Sequence, residues 1–274
     1  MDVQTIDELK NIHKDIVNDF EDIISDLPML LRSSYGYTSE VCFMYINSTH
    51  LIFDAILNSI NSENYYSINI LYRSLTEHFL RFNFYFFNFA LNGKSDSYSH
   101  KFRTALEFND KFLILKSKNS IETNLKIKKN AQDIKDELHK SNSDYAKYNL
   151  QELDAIARDL SIKNIISFTE KHIENKEFDS EGLLKEIIVQ YSKLSSYVHG
   201  GILAHREHIY FATENKIVKS MTVILGSSII ILTSIKLQTL MIFSETNPEY
   251  LKVYFKISRK IYKLQSINKD SPTF

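Results

Sequence analysis

The chain has 274 residues with a formal net charge of −1, six Gly, three Pro, one Cys, 16 Tyr, 18 Phe and no Trp. So few turn-formers disfavour an all-β or doubly wound α/β fold and favour long helices. The near-zero charge gives no global field toward nucleic acid or membrane, so any such contact must be local. A single cysteine, Cys42, excludes an internal disulfide framework and a multi-cysteine zinc site.

The N-terminus, Met-Asp-Val-Gln-Thr-Ile-Asp-Glu, is polar and acidic, unlike a signal peptide, and a cytoplasmic location is expected. Residues 5–27 form an amphipathic pattern: Ile6, Leu9, Ile12, Ile16, Phe20, Ile23 and Leu27 recur at helical spacing. Thr5 and Glu8 make a capping box, and Pro28 should end the helix. Gly36 marks a turn, and Thr38 or Ser39 caps a second helix to about Ile60. Ser62 and Glu63 open a third, to about residue 91, ended by Asn92-Gly93. Helices are expected over 95–118 and, lysine-rich, over 119–141, followed by a loop at 141–149. Periodicity resumes at 150–160 and 163–174. Ser180 precedes a helix from 181 to about 198, stopped by Gly200-Gly201. Residues 202–215 are ambiguous, with His208–Thr213 as a candidate extended piece. A very apolar helix covers 216–244, and Asn247-Pro248-Glu249 starts the last one. The expected fold is all-α, a multi-helix bundle with long antiparallel helices and a buried apolar helix near the C-terminus. It forms one domain over 1–264, with 141–149 as the candidate subdivision and 265–274 as a flexible tail.

The uncharged run in the apolar segment spans Ser220–Ile235, bracketed by Lys219 and Lys236. A spanning helix wants roughly 20 apolar residues, so a buried central helix is the favoured reading and a membrane-associated effector the alternative.

In the third helix Arg73, Glu77 and Arg81 fall on one stripe of an otherwise greasy segment. Such charges are either a solvated ion pair or half of a polar site, because an unpaired buried charge is very costly. Tyr191, Ser195 and His199 share a face near the end of their helix. His199 is either a C-capping residue before the glycine stop or an acid–base group. His199, His205 and His208 match no zinc spacing, and neither a metal nor a cofactor is expected. The last helix carries Lys252, Lys256, Arg259, Lys260 and Lys263 on one face, and residues 111–140 hold Lys116, Lys118, Lys126, Lys128 and Lys129. Such faces are usually solvated, and RNA contact is the alternative. Phosphate-loop, serine-hydrolase and zincin motifs are absent from the sequence.

Arg73-Ser74-Leu75-x-Glu77 together with Leu194-Ser195-x-x-Val198-His199-Gly200 resembles an uncharacterised bacterial family of all-helical domains, covering most of 40–245. Arg73-Ser-Leu-Thr-Glu-His78 also resembles the Arg…His pair of HEPN-type ribonucleases. That resemblance implies a helical bundle, metal-independent RNA cleavage, a composite site across a homodimer, and toxin or anti-phage roles. On that reading the catalytic residues are Arg73, Glu77, His78 and His199: an imidazole as base or acid, Arg73 on the phosphate, and Glu77 orienting Arg73. Tyr191, Ser195, Arg81, Lys256 and Arg259 would bind substrate. The alternative is a non-catalytic interaction or ligand-sensing module whose Arg/Glu/His network is structural or binding.

Overall fold

The structure, a computed structural model, describes residues 5–121, 129–174, 183–213 and 216–268. Those residues form thirteen helices and no strand. The long ones are α1 (Ile6–Ile24), α3 (Gly36–Asn61), α4 (Tyr65–Leu91), α5 (Asp96–Ile121), α12 (Ile217–Phe243) and α13 (Glu249–Asn268). Shorter ones are α2 (Leu27–Leu31), α6 (Ala131–Ser141), α7 (Ser143–Ala146), α8 (Leu150–Asp159), α9 (Ile162–Glu174), α10 (Leu183–Val198) and α11 (Ile202–Thr213).

Several boundaries differ from the sequence expectation, each for a local reason. Pro28 sits in the first turn of α2, where its missing N–H is one of the unbonded donors anyway. Gly36 is the first residue of α3; a Cβ there would lie 2.9 Å from the Leu31 carbonyl oxygen, so close chain approach explains the glycine. Asn64, not Ser62, caps α4: its side chain accepts from Ser67 N–H. α5 runs on to Ile121, and α6 starts afresh behind a capping box of Asn130 and Asp133, so 119–141 is not one helix; residues 122–128 lie outside the described residues. The stretch 141–149 contains the short helix α7. The Ser180 cap also lies outside the described residues. His208–Thr213 is helical, not extended, and α13 continues through Asn268.

Two helices form the centre. α4 packs against α3, α9, α10 and α12, while α12 packs against α1, α3, α4 and α13. Leu75, Phe79, Leu80, Phe82 and Tyr85 of α4 join Leu225, Ile229, Ile235 and Phe243 of α12 in the main core. Among the described residues α12 is the one helix long and apolar enough to cross a membrane by length and composition. Its buried hydroxyls are satisfied locally: Ser228, Thr233 and Thr239 donate to carbonyls one turn back at 2.7, 2.7 and 2.9 Å. A second cluster, with Phe108, Phe112, Ile134, Leu138, Tyr145 and Leu153, lies between the end of α5 and α6–α8.

Phe82 is fully buried, whereas Leu51 is 71% exposed. Phe82→Ala should lower unfolding free energy by about 3–5 kcal/mol in urea titrations, and Leu51→Ala by less than about 0.5 kcal/mol. Equal effects would contradict this packing.

Candidate functional site

Burial around most of α4 confines its charges to one arc. At 100° per residue, Arg73, Glu77 and Arg81 cover about 80° of the circumference. They form one linked chain. Glu77 Oε1 accepts from Arg81 Nη2 at 2.8 Å, and Glu77 Oε2 lies 3.4 Å from Arg73 Nη1. The tighter bond of Arg73 crosses to another helix: Nη2 donates to Tyr191 Oη at 2.7 Å. The guanidinium carbon also lies 4.6 Å from the Tyr191 ring centroid. Burial raises the Tyr191 phenol above its ordinary pKa, and the Glu77 carboxylate adds to this, so the hydroxyl stays protonated.

The side chains of Arg73, Glu77 and Arg81 are 17%, 24% and 33% exposed, so the cluster is half-sunk and open to solvent at one end. Two guanidiniums share one carboxylate, leaving one net positive charge. Both Nε atoms, of Arg73 and of Arg81, are buried without a hydrogen-bond partner.

α10 runs antiparallel to α4. Tyr66 Oη donates to the Tyr197 carbonyl at 2.7 Å, while Arg73 meets Tyr191. Later residues of α10 therefore move away from Arg73. Ser195 is one turn beyond Tyr191. His199, exposed and just past the helix end, lies eight residues on, about 12 Å along the axis. Its backbone N–H bonds the Ser195 carbonyl at 3.2 Å. His78 leaves the stripe as well, about 140° round from Arg73. Its Nδ1 lies 2.9 Å from the Ser74 carbonyl, so that nitrogen carries the hydrogen, and the ring meets Tyr45 of α3 edge-on. The structure thus gathers Arg73, Glu77, Arg81 and Tyr191, and leaves His78, Ser195 and His199 outside.

The glycines after His199 form a joint. Gly200 has φ +63°, and a Cβ on Gly201 would lie 2.4 Å from Ser196 Oγ. That same Oγ accepts from Ala204 N–H at 3.1 Å and so starts α11.

Lys256 and Arg259 belong to a different surface. Lys256 and Lys260 hold Asp19 of α1 at 2.9 and 2.7 Å, and Arg259 is exposed. Burial raises the Asp19 pKa, but the two lysines outweigh it and hold the carboxyl below its ordinary value. Among the described residues, no three His, Cys, Asp or Glu side chains are placed to hold one metal ion; His208 instead stacks on Tyr65 at 6.0 Å.

A second polar group was invisible as such in the sequence. Lys236, in the middle of α12, is 1% exposed, and the Glu21 carboxylate acts favourably on its charge. Its ammonium lies 5.4 Å from the Phe20 ring centre. Burial lowers its pKa to about 8. His13 and His50, with ring centres 6.1 Å apart, stand beside it. Burial, with the Lys236 charge second, holds them down to about 3 and about 4. The available signal was the one applied to Arg73: a charge flanked by Ile235 and Leu237 in an apolar helix.

No family model matches the chain, and no curated protein or solved structure is significantly similar to it. The functional reading therefore rests on the residues themselves.

The buried bases fix a pH dependence. Unfolded histidines protonate near 6.5, folded His13 and His50 only near 3 and 4. Between pH 6.5 and 4 the unfolded state binds more protons, so stability falls as pH falls. The slope should be on the order of 1 kcal/mol per pH unit after discounting for partial solvent screening. Lys236 adds a second rise between about pH 8 and 10.5. Denaturant titrations across pH should show both steps, with Lys236→Met removing the upper one and stabilising the protein at pH 7. A flat profile below pH 6.5 would contradict the burial of the two rings.

Proposed function

We propose that the chain is an all-helical module that recognises a phosphate-bearing ligand, and that Arg73 and Arg81 are the recognising groups. The observation that carries this reading is the charge balance on α4. Two guanidiniums share Glu77, which leaves one positive charge on a partly exposed edge of α4. A guanidinium fork matches phosphate oxygens, and a single phosphodiester charge would neutralise the excess. Glu77 and Tyr191 fix the two guanidiniums in place, lowering the entropy lost on binding. Tyr191 also offers a hydroxyl beside the bound anion.

RNA cleavage is the finer form of the same proposal, supported by the resemblance to HEPN-type ribonucleases. Cleavage needs an acid or base within hydrogen-bond reach of the ribose hydroxyl or leaving oxygen. Within one chain His199 stands about 12 Å along α10 from Tyr191. On this reading the imidazole comes from a second copy, whose His199 is exposed on its own surface. A homodimer is thus part of the cleavage proposal and not of the recognition proposal.

Fluorescence anisotropy with an end-labelled single-stranded RNA separates the two. Arg73→Ala and Arg81→Ala should each weaken binding at least about ten-fold, the loss expected for a charge-assisted hydrogen bond. Glu77→Gln should bind as well as the parent or better. If both arginine variants bind unchanged while their urea midpoints hold, recognition by this cluster is wrong. If RNA is bound but stays intact, and His199→Ala changes nothing, the cleavage form alone is lost.

A further inference from the structure

The exposed face of α11 is rich in large apolar side chains. Around the axis Ile209, Ile202, Thr213, Arg206, Tyr210 and Leu203 fall in that order within about 120°. All six are exposed. Ile202 and Leu203 are 69% and 71% exposed, and Ile209 and Tyr210 about half. The opposite side of the helix buries only Ala204 and Phe211. Lys216 Nζ binds Tyr210 Oη at 2.7 Å, which ties the end of this face to the start of α12. There Val218 is 57% exposed and is followed by exposed Lys219. Contiguous apolar surface of this kind marks a contact site.

We propose that α11 docks the protein on an anionic lipid surface. The aliphatic residues would enter the headgroup–acyl boundary, with Tyr210 at headgroup level and Arg206 on an anionic headgroup. The placement of charge selects this occupant. Arg206 is the sole charged residue on the arc and lies at its centre, both around the helix and along it. Glu207 is rotated about 100° away. Two copies pairing through this face as antiparallel helices would put the two-fold axis beside Arg206, bringing like charges together with no acid on the arc to separate them. RNA would leave Ile202, Leu203 and Ile209 without a stacking partner. An anionic bilayer satisfies both parts of the face at once. The net charge of −1 on the whole chain keeps attraction local to this patch. The contact lies along the surface and does not require α12 to leave the core.

Vesicle co-sedimentation with the full chain tests this, using phosphatidylcholine with and without phosphatidylserine. The parent should bind the phosphatidylserine vesicles and bind pure phosphatidylcholine more weakly. Ile202→Ser combined with Leu203→Ser should reduce binding at least about ten-fold, two lost side-chain insertions being more than sufficient for that factor. Arg206→Glu should cost about five-fold or more on the anionic vesicles and remove the lipid preference. Leu51→Ser, equally exposed but on α3, is the control and should bind as the parent does. All four changes are at exposed positions, and thermal melts confirm folding. The proposal is overturned if the parent ignores both vesicle types, or if Leu51→Ser loses as much. It is also overturned if sedimentation velocity shows a dimer that the Ile202/Leu203 double variant dissociates while vesicles are not bound. RNA binding is not used here, so failure of this test leaves the Arg73–Arg81 proposal standing.

Discussion

The near-complete burial of α4 governs the rest. Helices α3, α9, α10 and α12 enclose it, and Leu75, Leu80, Phe82 and Tyr85 are fully buried. A helix so enclosed can keep charges only where they satisfy one another or reach solvent. Arg73, Glu77 and Arg81 do both, being one turn apart and open at one edge. The i,i+4 spacing makes the carboxylate a shared partner, and the remaining positive charge is a consequence of two cations meeting one anion. Tyr191 closes the inner end. Its hydroxyl serves Arg73 without adding a second negative charge, because burial keeps the phenol protonated. A carboxylate in its place would cancel the excess charge.

Much of this is legible in the sequence. The all-α class follows from scarce Gly and Pro, and the Arg73–Glu77–Arg81 row follows from helical spacing alone. Tyr191 is a substrate-binding candidate in the sequence, on a face with Ser195 and His199. What the sequence could not supply was direction. Tyr191 and Ser195 share a face of α10, with His199 just past its end, but the antiparallel run carries each of the three about 6 Å further from Arg73 than the one before. Spacing within a helix tells which residues are neighbours on that helix; it does not tell which end faces a partner. The helix α11 escaped for another reason. Its exposed face is apolar, so it lacks the polar–apolar period that marks a surface helix.

The two buried basic groups obey different rules. Arg73 and Arg81 are stabilised by an acid and a phenol, and they remain accessible. Lys236 has an aromatic face and two histidines, which burial and the lysine charge keep neutral at pH 7. Burial lowers all three of these bases, and the Lys236 charge adds to it for the two histidines, while Glu21 opposes it for Lys236. The α4 cluster is held instead by a guanidinium–carboxylate chain.

The segment that ends α10, Leu194–Gly200, is accounted for mostly by packing and backbone geometry. Leu194 and Tyr197 are core residues, Ser196 starts α11, Gly200 takes a positive φ, and a side chain on Gly201 would strike Ser196. Those positions need no ligand to explain them. His199 and Ser195 are what remains. His199 makes only a backbone bond here and points no polar atom at a partner among the described residues. His199 is exposed, and the exposed apolar face of α11 begins three residues later. The glycine joint between them therefore sets the position of both the imidazole and the lipid-facing helix, which couples the two outward-looking parts of the molecule through four residues of backbone.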